Sequence, residues 1–423
     1  MVKRDKTISL NDALRSAAPP AFNTMVKPMG SACNLGCSYC YYLDKADTVY
    51  QGKQPKMSLE LLEEYTRQYI EANEIPEVTF VWHGGEPLMA GIDFYRKAIE
   101  FQRKYAGGKK IVNTLQTNGT LVNDDWCRLF HDNGFLIGIS IDGPRDIHDA
   151  FRTTRAGAPT FEKVIHAITL MIKHRVEYNT LSVVNNLSEG RGAEVYGFLK
   201  SMGSRYMQFL PAVEYVARPE NTGKPFIVKP GTPGSRKASW SVSALGYGKF
   251  LTDIFDVWVR NDVGTYFVQA FDMTLTQWVG AKPGMCIYSE TCGDALVVEH
   301  NGDVFSCDHF VYPEYRLGNI METHLRDLYK SPAQFAFGIN KRNTLPAQCL
   351  KCRYYFACRG ECPKHRFMKS ASGEDNLNVL CEGFKLYFSH VEPYMDEMKR
   401  LLLNKMAPAN IMEWTRSGKQ NSK

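Results

Sequence analysis

Short, nearly continuous apolar runs recur along the first half of the chain, and stretches of helical character separate them. Such runs are typical of parallel strands that are buried on both faces of a sheet. They predict five strands, at 78–82, 111–116, 136–141, 181–184 and 206–210. The helical stretches begin at recognisable N-caps, namely Ser58, Asn123 and Thr160. Repeated strand–helix units predict an α/β fold whose parallel sheet is open or curls into a full or partial barrel, with the chemistry at the carboxyl ends of the strands.

The pattern changes after residue 213. The stretch 216–240 is rich in Pro, Gly, Ser and Lys and predicts a long irregular surface segment. A helical stretch from 247 to about 280 then leads to a region in which cysteines are frequent. There, the strand candidates 296–299 and 304–306 flank Asn301-Gly302, a pair that favours a tight hairpin turn.

Composition narrows the class of protein. The chain has 423 residues, of which 44% are hydrophobic and 23% charged, so it can bury a large core and its body is not disordered. The net charge of +6 is small for this length and gives no support for a nucleic-acid partner. The start of the chain is polar, and the longest apolar run, 135–141, is far shorter than a membrane span. We therefore expect a soluble, cytoplasmic protein without a membrane partner, and a monomer by default.

The twelve cysteines are unevenly distributed. Disulfides are not expected in a reducing compartment, so metal or redox chemistry is the expectation. Cys33, Cys37 and Cys40 have the spacing C-x₃-C-x₂-C, and eight more cysteines lie between 286 and 381. Three thiolates on one loop can hold three corners of a [4Fe–4S] cube and leave one iron open, whereas structural zinc needs four ligands. The eight later cysteines make two complete sets of four, and their spacing alone does not exclude zinc sites. Cys127 has apolar neighbours, so we expect it to be buried as a small hydrophobic side chain.

The first cysteine loop and the motifs after it resemble the radical S-adenosylmethionine (SAM) superfamily. His83-Gly84-Gly85-Glu86-Pro87 follows a strand, Ser140 and Asp142 end another, and Arg152 comes next, in the order of the family. The resemblance implies that the open iron binds SAM, whose cleavage releases a 5′-deoxyadenosyl radical. Glycine allows close approach of the backbone to a ligand, and a guanidinium suits a carboxylate. The implied contacts to SAM come from Tyr39, Gly84, Gly85, Glu86, Ser140, Asp142, Arg152 and, by an approximate match, Leu210.

The eight later cysteines resemble the SPASM extension of these enzymes, which carries two auxiliary [4Fe–4S] clusters, so three clusters are expected in all. By that resemblance one auxiliary cluster is held by Cys286, Cys292, Cys307 and Cys362, and the other by Cys349, Cys352, Cys358 and Cys381. Fully coordinated clusters would act as electron carriers. The implied domains are an N-terminal extension (1–23), a radical SAM partial (β/α)6 barrel (24–235), a bridging helical segment (236–285), the SPASM domain (286–395) and a C-terminal helix and tail (396–423).

Within this subgroup the chain resembles the anaerobic sulfatase-maturating enzymes, through CNLGCSYCYYLDK at 33–45, HGGEP, SIDGP with HDAFR, and CDHF at 307–310. Members oxidise a Cys or Ser of a nascent sulfatase, within C/S-x-P/A-x-R, to Cα-formylglycine, and the auxiliary clusters could take up an electron. The resemblance implies Asp308 as the catalytic base, with His309 as the alternative. Tyr39 and Tyr42 either line the cavity or pack in the core, and a ferredoxin or flavodoxin is the expected electron donor.

Two other functions compete with this interpretation. A SPASM maturase that cross-links or epimerises another ribosomal peptide would share the clusters, but such enzymes often carry an N-terminal peptide-recognition domain that the short polar start does not suggest. A zinc or iron–sulfur regulator predicts basic stripes and lacks the ordered glycine, serine and arginine motifs. The extension 1–23 and the segment 216–240 match no motif.

Overall fold

The computed structural model describes residues 21–42, 45, 49, 56–217, 226–228 and 232–416. Residues 1–20 of the predicted extension and 417–423 of the predicted tail therefore lie outside the described residues, as do residues 43–44 of the CNLGCSYCYYLDK motif.

Six strands form the parallel sheet, and each pairs with the next along the chain. They are β1 (Asn23–Lys27), β2 (Glu77–Trp82), β3 (Lys110–Thr117), β4 (Leu136–Ser140), β5 (Glu177–Val184) and β6 (Tyr206–Pro211). The α/β fold and all five predicted strands are confirmed, with small shifts at their ends. The sequence did not predict β1, because its polar residues interrupt the apolar run that marks the other strands.

Helices connect these strands and cover one face of the sheet. They are α1 (Leu59–Ala72), α2 (Ile92–Tyr105), α3 (Asp124–Asp132), α4 (Arg145–Phe151), α5 (Phe161–Lys173) and α6 (Gly192–Ser201). Ser58 and Asn123 cap α1 and α3 through side-chain hydrogen bonds, as predicted. Thr160 occupies the N-cap position of α5, as predicted, but makes no side-chain cap hydrogen bond there; its hydroxyl donates to the carbonyl oxygen of Arg152 at 2.6 Å. Cys127 is fully buried in α3, as predicted.

Successive side chains of a strand point to opposite faces of the sheet, so only every second one reaches the face that these helices leave uncovered. On β2, Phe80 and Trp82 are buried, and the Trp82 ring packs against α2, whereas Thr79 and Val81 are half-buried and face away from the helices. By the same alternation Lys27, Gln116 and Ser140 project from that second face. The carboxyl ends of the strands and this face together position the candidate site.

The segment 216–240 is only partly irregular. Three short strands, β7 (Tyr215–Ala217), β8 (Phe226–Val228) and β9 (Arg236–Lys237), form a small antiparallel sheet in the order β8-β7-β9. The prediction of an irregular segment is wrong for these residues, because strands of two or three residues are too short to show a period. Residues 218–225 and 229–231 lie outside the described part of the chain. The helical stretch 247–280 is likewise divided into α7 (Ala244–Asn261) and α8 (Gln269–Trp278) by β10 (Phe267–Val268).

The cysteine-rich region continues the same sheet. Its strands are β11 (Ala295–Glu299), β12 (Asp303–Phe305) and β13 (Arg316–Asn319). The antiparallel pair β11–β12 is the predicted hairpin, and β11 pairs in parallel with β1. On the other side β10 pairs with β6, so the sheet has ten strands in the order β10-β6-β5-β4-β3-β2-β1-β11-β12-β13. A shared sheet fixes the first cysteine loop relative to the later cysteines.

The remaining helices are α9 (Leu325–Tyr329), α10 (Pro332–Asn343), α11 (Ala347–Leu350), α12 (Tyr355–Cys358), α13 (Cys381–Leu403) and α14 (Ile411–Arg416). Helix α13 packs closely against α7, since a Cβ on Gly383 would lie 1.9 Å from the carbonyl oxygen of Ala244. This contact fixes Cys381, the first residue of α13. None of the helices in the described part of the chain combines the length and apolar character that a membrane crossing needs.

Candidate active site

The first cysteine loop follows β1 and is held by the glycine-rich segment that follows β2. The N–H of Gly85 donates to the carbonyl oxygen of Gly30 at 2.7 Å, and the N–H of Glu86 donates to that of Ala32 at 2.8 Å. A Cβ on Gly85 would lie 2.0 Å from the Ala32 oxygen, and Gly84 has a φ of +133°. The glycines thus allow the backbones of two loops to pack together. Their predicted contact to SAM stays a prediction.

Glu86 is fully buried and connects the ends of β2 and β3. One carboxylate oxygen accepts hydrogen bonds from the Thr117 hydroxyl at 2.8 Å and the Leu88 N–H at 3.0 Å, and the other accepts from the Asn118 N–H at 2.8 Å. Burial raises the pKa of Glu86 to about 7, against the lowering effect of these donors. Its carboxylate therefore has a structural role, whereas its predicted contact to SAM stays a prediction.

Asn118 is a residue of the site that sequence analysis missed. Its amide donates to the side-chain oxygen of Asn34 at 2.9 Å and lies 3.7 Å from the sulfur of Cys33. The Asn34 amide in turn donates to the hydroxyl of Thr120 at 2.8 Å. The polar run after β3, at the carboxyl edge of a predicted sheet, is the signal that could have identified these residues.

Three predicted residues meet beside Cys37. The Arg152 guanidinium donates to Asp142 at 3.0 Å, and the Tyr39 hydroxyl donates to the other oxygen of the same carboxylate. This ion pair is buried, and the guanidinium lies 5.5 Å from the centre of the Tyr39 ring. Burial raises the pKa of the Cys37 thiol to about 12, and the charge of Arg152 opposes that rise. A buried cation is thus held next to the first cysteine set.

The other two predicted SAM contacts lie on β4 and β6, the two strands that pair with β5. The Ser140 hydroxyl accepts a hydrogen bond at 3.1 Å from Gln116, a residue that sequence analysis also missed. Leu210 lies near the end of β6, paired with Val183 of β5. The N–H of Val183 donates to Asp142 at 3.0 Å, so these residues are connected to the buried ion pair through β5.

Asp308 lies between the first cysteine loop and the later cysteines. It follows Cys307 directly, and its carboxylate accepts a hydrogen bond from Tyr41, which follows Cys40. Its other oxygen forms an ion pair with the ammonium of Lys27, a side chain of β1 that is fully buried. Asp308 therefore connects the two cysteine regions: it follows Cys307 of the later cysteines, and it binds Tyr41, which follows Cys40 of the first loop.

The charges around Asp308 keep it ionised. Burial alone would raise its pKa, but the ammonium of Lys27, paired with the carboxylate, lowers it well below the usual range. Burial lowers the pKa of His83 to about 4 and that of His309 to about 3, so both imidazoles are neutral. The Gly84 N–H donates to Nδ1 of His83 at 2.8 Å, which assigns the ring hydrogen to Nε2.

Tyr42 packs in the core. It is 3% exposed and belongs to a small cluster with Val297, Phe305 and Val311. The ammonium of Lys27 lies 3.2 Å from the centre of its ring, an arrangement that stabilises the buried cation.

The later cysteines form two groups in space, and these are the groups that the resemblance implied. In each, the thiolates lie close enough to raise one another's pKa; the groups are Cys286, Cys292, Cys307 and Cys362, and Cys349, Cys352, Cys358 and Cys381. A small pocket is lined by all four cysteines of the second group, with Tyr354, Phe384 and Phe388 around them.

The donor sets suit iron–sulfur clusters. Burial raises the pKa of Cys33 to about 11 and that of Cys358 to about 12, so these thiols would stay protonated at neutral pH unless a cation bound them. Within the described ranges, no three Cys, His, Asp or Glu side chains converge as ligands of a single ion would. The four thiolates of a cubane bind four different irons, so they need no common point.

Comparison with known proteins agrees with this site. Residues 28–198 match the radical SAM superfamily, and residues 286–353 match SPASM, an iron–sulfur cluster-binding domain. The chain is therefore a radical SAM enzyme with a SPASM domain. A serine-type anaerobic sulfatase-maturating enzyme of Bacteroides thetaiotaomicron is 48% identical over 394 residues, which cover 93% of this chain and 95% of that protein. The chain belongs to the anaerobic sulfatase-maturating enzymes.

More distant relatives support the same assignment. A cysteine-type anaerobic sulfatase-maturating enzyme of Clostridium perfringens is 32% identical over 378 residues, 88% of this chain and 97% of that protein. Among solved structures, native anSMEcpe with bound AdoMet and Cp18Cys peptide is 30% identical, with a TM-score of 0.78 over 90% of this chain and 99% of that chain.

Proposed function

We propose that this chain oxidises one Ser or Cys of a sulfatase polypeptide, within a C/S-x-P/A-x-R segment, to Cα-formylglycine. The curated relatives that support the proposal carry the name of this activity, and the solved relative has AdoMet and a peptide bound. The observation that carries it is the ionised Asp308, whose side chain is 12% exposed, between the first cysteine loop and the later cysteines.

The proposal includes three [4Fe–4S] clusters. The first would be held by Cys33, Cys37 and Cys40, and the auxiliary clusters by the two groups of four cysteines. When bound, SAM and these clusters supply the 5′-deoxyadenosyl radical that removes a hydrogen atom from Cβ of the target, and an acceptor for one further electron. Arg152, held by Asp142, would bind the SAM carboxylate, and the other SAM contacts would come from Tyr39, Gly84, Gly85, Glu86, Ser140 and Leu210.

Asp308 is the proposed base. Oxidation of a CH₂–OH side chain to CHO removes one hydrogen atom from Cβ, then one electron, and then the hydroxyl proton. For a Cys target the product is a thioaldehyde, which water converts to the aldehyde with loss of H₂S. Asp308 would accept the proton because it is ionised and is held in place by Lys27 and Tyr41. His309 is less suitable, since its Nδ1 lies 3.6 Å from the sulfur of Cys362, a proposed cluster ligand.

The peptide would enter through a cavity next to Asp308. A space of about 770 Å³ is lined by Tyr41 and His309, by the ion pair of Lys364 with Glu214, and by Val228 of β8. The small sheet β7–β9 would thus contribute to substrate binding. A ferredoxin or flavodoxin as electron donor, a monomeric state and the predicted domain boundaries belong to the same proposal.

The test is an anaerobic reaction of the reconstituted enzyme with SAM, a reductant and a peptide, followed by mass spectrometry. The serine peptide is used first, because identity to the serine-type relative is 48% and to the cysteine-type relative 32%; a peptide with Ala at the target position is the control. We expect a Ser-x-Pro-x-Arg peptide to lose two hydrogen atoms and deoxyadenosine to form. Deoxyadenosine without any change in the Ser or the Cys peptide would contradict the proposed substrate.

A further inference from the structure

Lys341, in the last turn of α10, is a buried cation beside the first auxiliary group. Its side chain is 1% exposed. Its ammonium donates to three backbone carbonyl oxygens, those of Cys286, Ile287 at 2.8 Å and Ser289 at 2.6 Å. Three acceptors around one nitrogen require three N–H donors, and only the charged ammonium has three. The geometry therefore places a full positive charge in the interior.

No carboxylate of the described chain forms an ion pair with Lys341. Burial lowers its pKa, and the negative charges that raise it again are the thiolates of Cys292, Cys286 and Cys362. A buried charge is costly unless an opposite charge compensates it. A cluster bound by the first auxiliary group would supply the counter-charge of this lysine, whose ammonium contacts the backbone of Cys286, one of the proposed ligands.

A second buried cation increases the need for negative charge. Arg366 is 5% exposed, and among the described residues its guanidinium donates only to backbone carbonyl oxygens, including that of Lys341. The nearby carboxylate of Glu361 is itself bound by His365 at 2.9 Å and Asn378 at 2.7 Å. This carboxylate lies near Arg366 and does not pair with Lys341, so a negatively charged cluster at the first auxiliary group would compensate the lysine.

We propose that Lys341 is a positioning residue that tunes the first auxiliary cluster. Its charge raises the reduction potential of the cluster that Cys286, Cys292, Cys307 and Cys362 would hold. Reduction adds one negative charge to a cluster, so a fixed cation beside it stabilises the reduced state. The lysine would thereby help this cluster accept the electron released by the peptide. The inference rests on the proposed function, because it requires a cluster at these four cysteines.

The test is an anaerobic redox titration monitored by electron paramagnetic resonance, with iron content measured on the same samples. The full-length chain carries Ala at the first three cysteines, so only auxiliary clusters contribute signals. Lys341→Gln removes the charge and Lys341→Arg keeps it. Lys351→Gln is the matched control, because Lys351 lies between Cys349 and Cys352 in sequence but is exposed to water, which screens its charge.

We expect Lys341→Gln to shift one auxiliary signal to a more negative potential, while Lys341→Arg and Lys351→Gln leave both signals near their original potentials. If Lys341→Gln loses the iron of one cluster and Lys341→Arg retains it, the requirement for charge is equally supported. An unshifted potential in Lys341→Gln, an equal shift in Lys351→Gln, or loss of iron in both Lys341 variants would overturn the inference. Absence of auxiliary iron from the chain with native Lys341 would instead contradict the proposed function.

Discussion

Replacing Gly85 by Ala should detach the first cysteine loop from the glycine-rich segment. The new Cβ would lie 2.0 Å from the Ala32 oxygen and 2.5 Å from its carbonyl carbon, and both atoms belong to the backbone, which no change of rotamer can move. Favourable contact requires about 3.5 Å, so the two loops must separate by roughly 1.5 Å. Such a separation breaks the hydrogen bonds from Gly85 to Gly30 and from Glu86 to Ala32, which are 2.7 and 2.8 Å long.

These losses give the magnitude of the effect. Two backbone hydrogen bonds contribute about 1 kcal/mol each, and overpacking costs about 1–3 kcal/mol, so the free energy of unfolding should fall by about 3–5 kcal/mol. The displaced loop should no longer hold the first cluster. Urea unfolding of the apoprotein measures the stability, and iron content and deoxyadenosine formation measure the cluster.

Gly197→Ala in α6 is the matched control, since a Cβ there would meet nothing within 4 Å. Alanine is the better helix former by about 0.5–1 kcal/mol, so this variant should be slightly more stable and fully active. The reasoning is refuted if Gly85→Ala unfolds at the same urea concentration as the native chain and forms deoxyadenosine at the same rate.

The other predictions concern the cysteines and two carboxylates. Replacing Cys33, Cys37 and Cys40 together with Ala should abolish deoxyadenosine formation and leave iron at the eight later cysteines; retained SAM cleavage would contradict the assignment of the first cluster. Asp308→Asn should still cleave SAM but form little formylglycine, because an amide cannot accept the proton; a normal aldehyde yield would remove Asp308 as the base. Glu86→Gln should lower the free energy of unfolding by about 1–3 kcal/mol, because its NH₂ group would face hydrogen-bond donors that now meet a carboxylate oxygen; unchanged urea unfolding would contradict that role.

The sequence predicted those elements whose signal is local. Strands buried on both faces leave apolar runs, so β2 to β6 could be recognised, whereas β1 contains Asn23, Thr24 and Lys27 and could not. The spacing of the cysteines gave the number of sets, but only a resemblance could divide the eight into two groups. Neither composition nor period could reveal the strands β7–β9, because each has at most three residues.

Residues that act through distant contacts could not be predicted. Lys27 and Asp308 are 281 positions apart, and their contact depends on the pairing of β1 with β11. The contacts of Asn118 and Gln116 within the site depend in the same way on the register of β3 with its neighbouring strands. Asp308 itself could be named only because its sequence environment resembles a known family, while its charge state follows from the buried groups around it.

The most direct test of the central claim is transfer of deuterium from the peptide to deoxyadenosine. A Ser-x-Pro-x-Arg peptide with both Cβ hydrogens of the target Ser replaced by deuterium is incubated with the enzyme, SAM and a reductant, and both products are analysed by mass spectrometry. The account predicts one deuterium atom in deoxyadenosine and one retained in the aldehyde of the peptide. Deoxyadenosine without deuterium, formed while the peptide is oxidised, would contradict removal of the Cβ hydrogen by this radical.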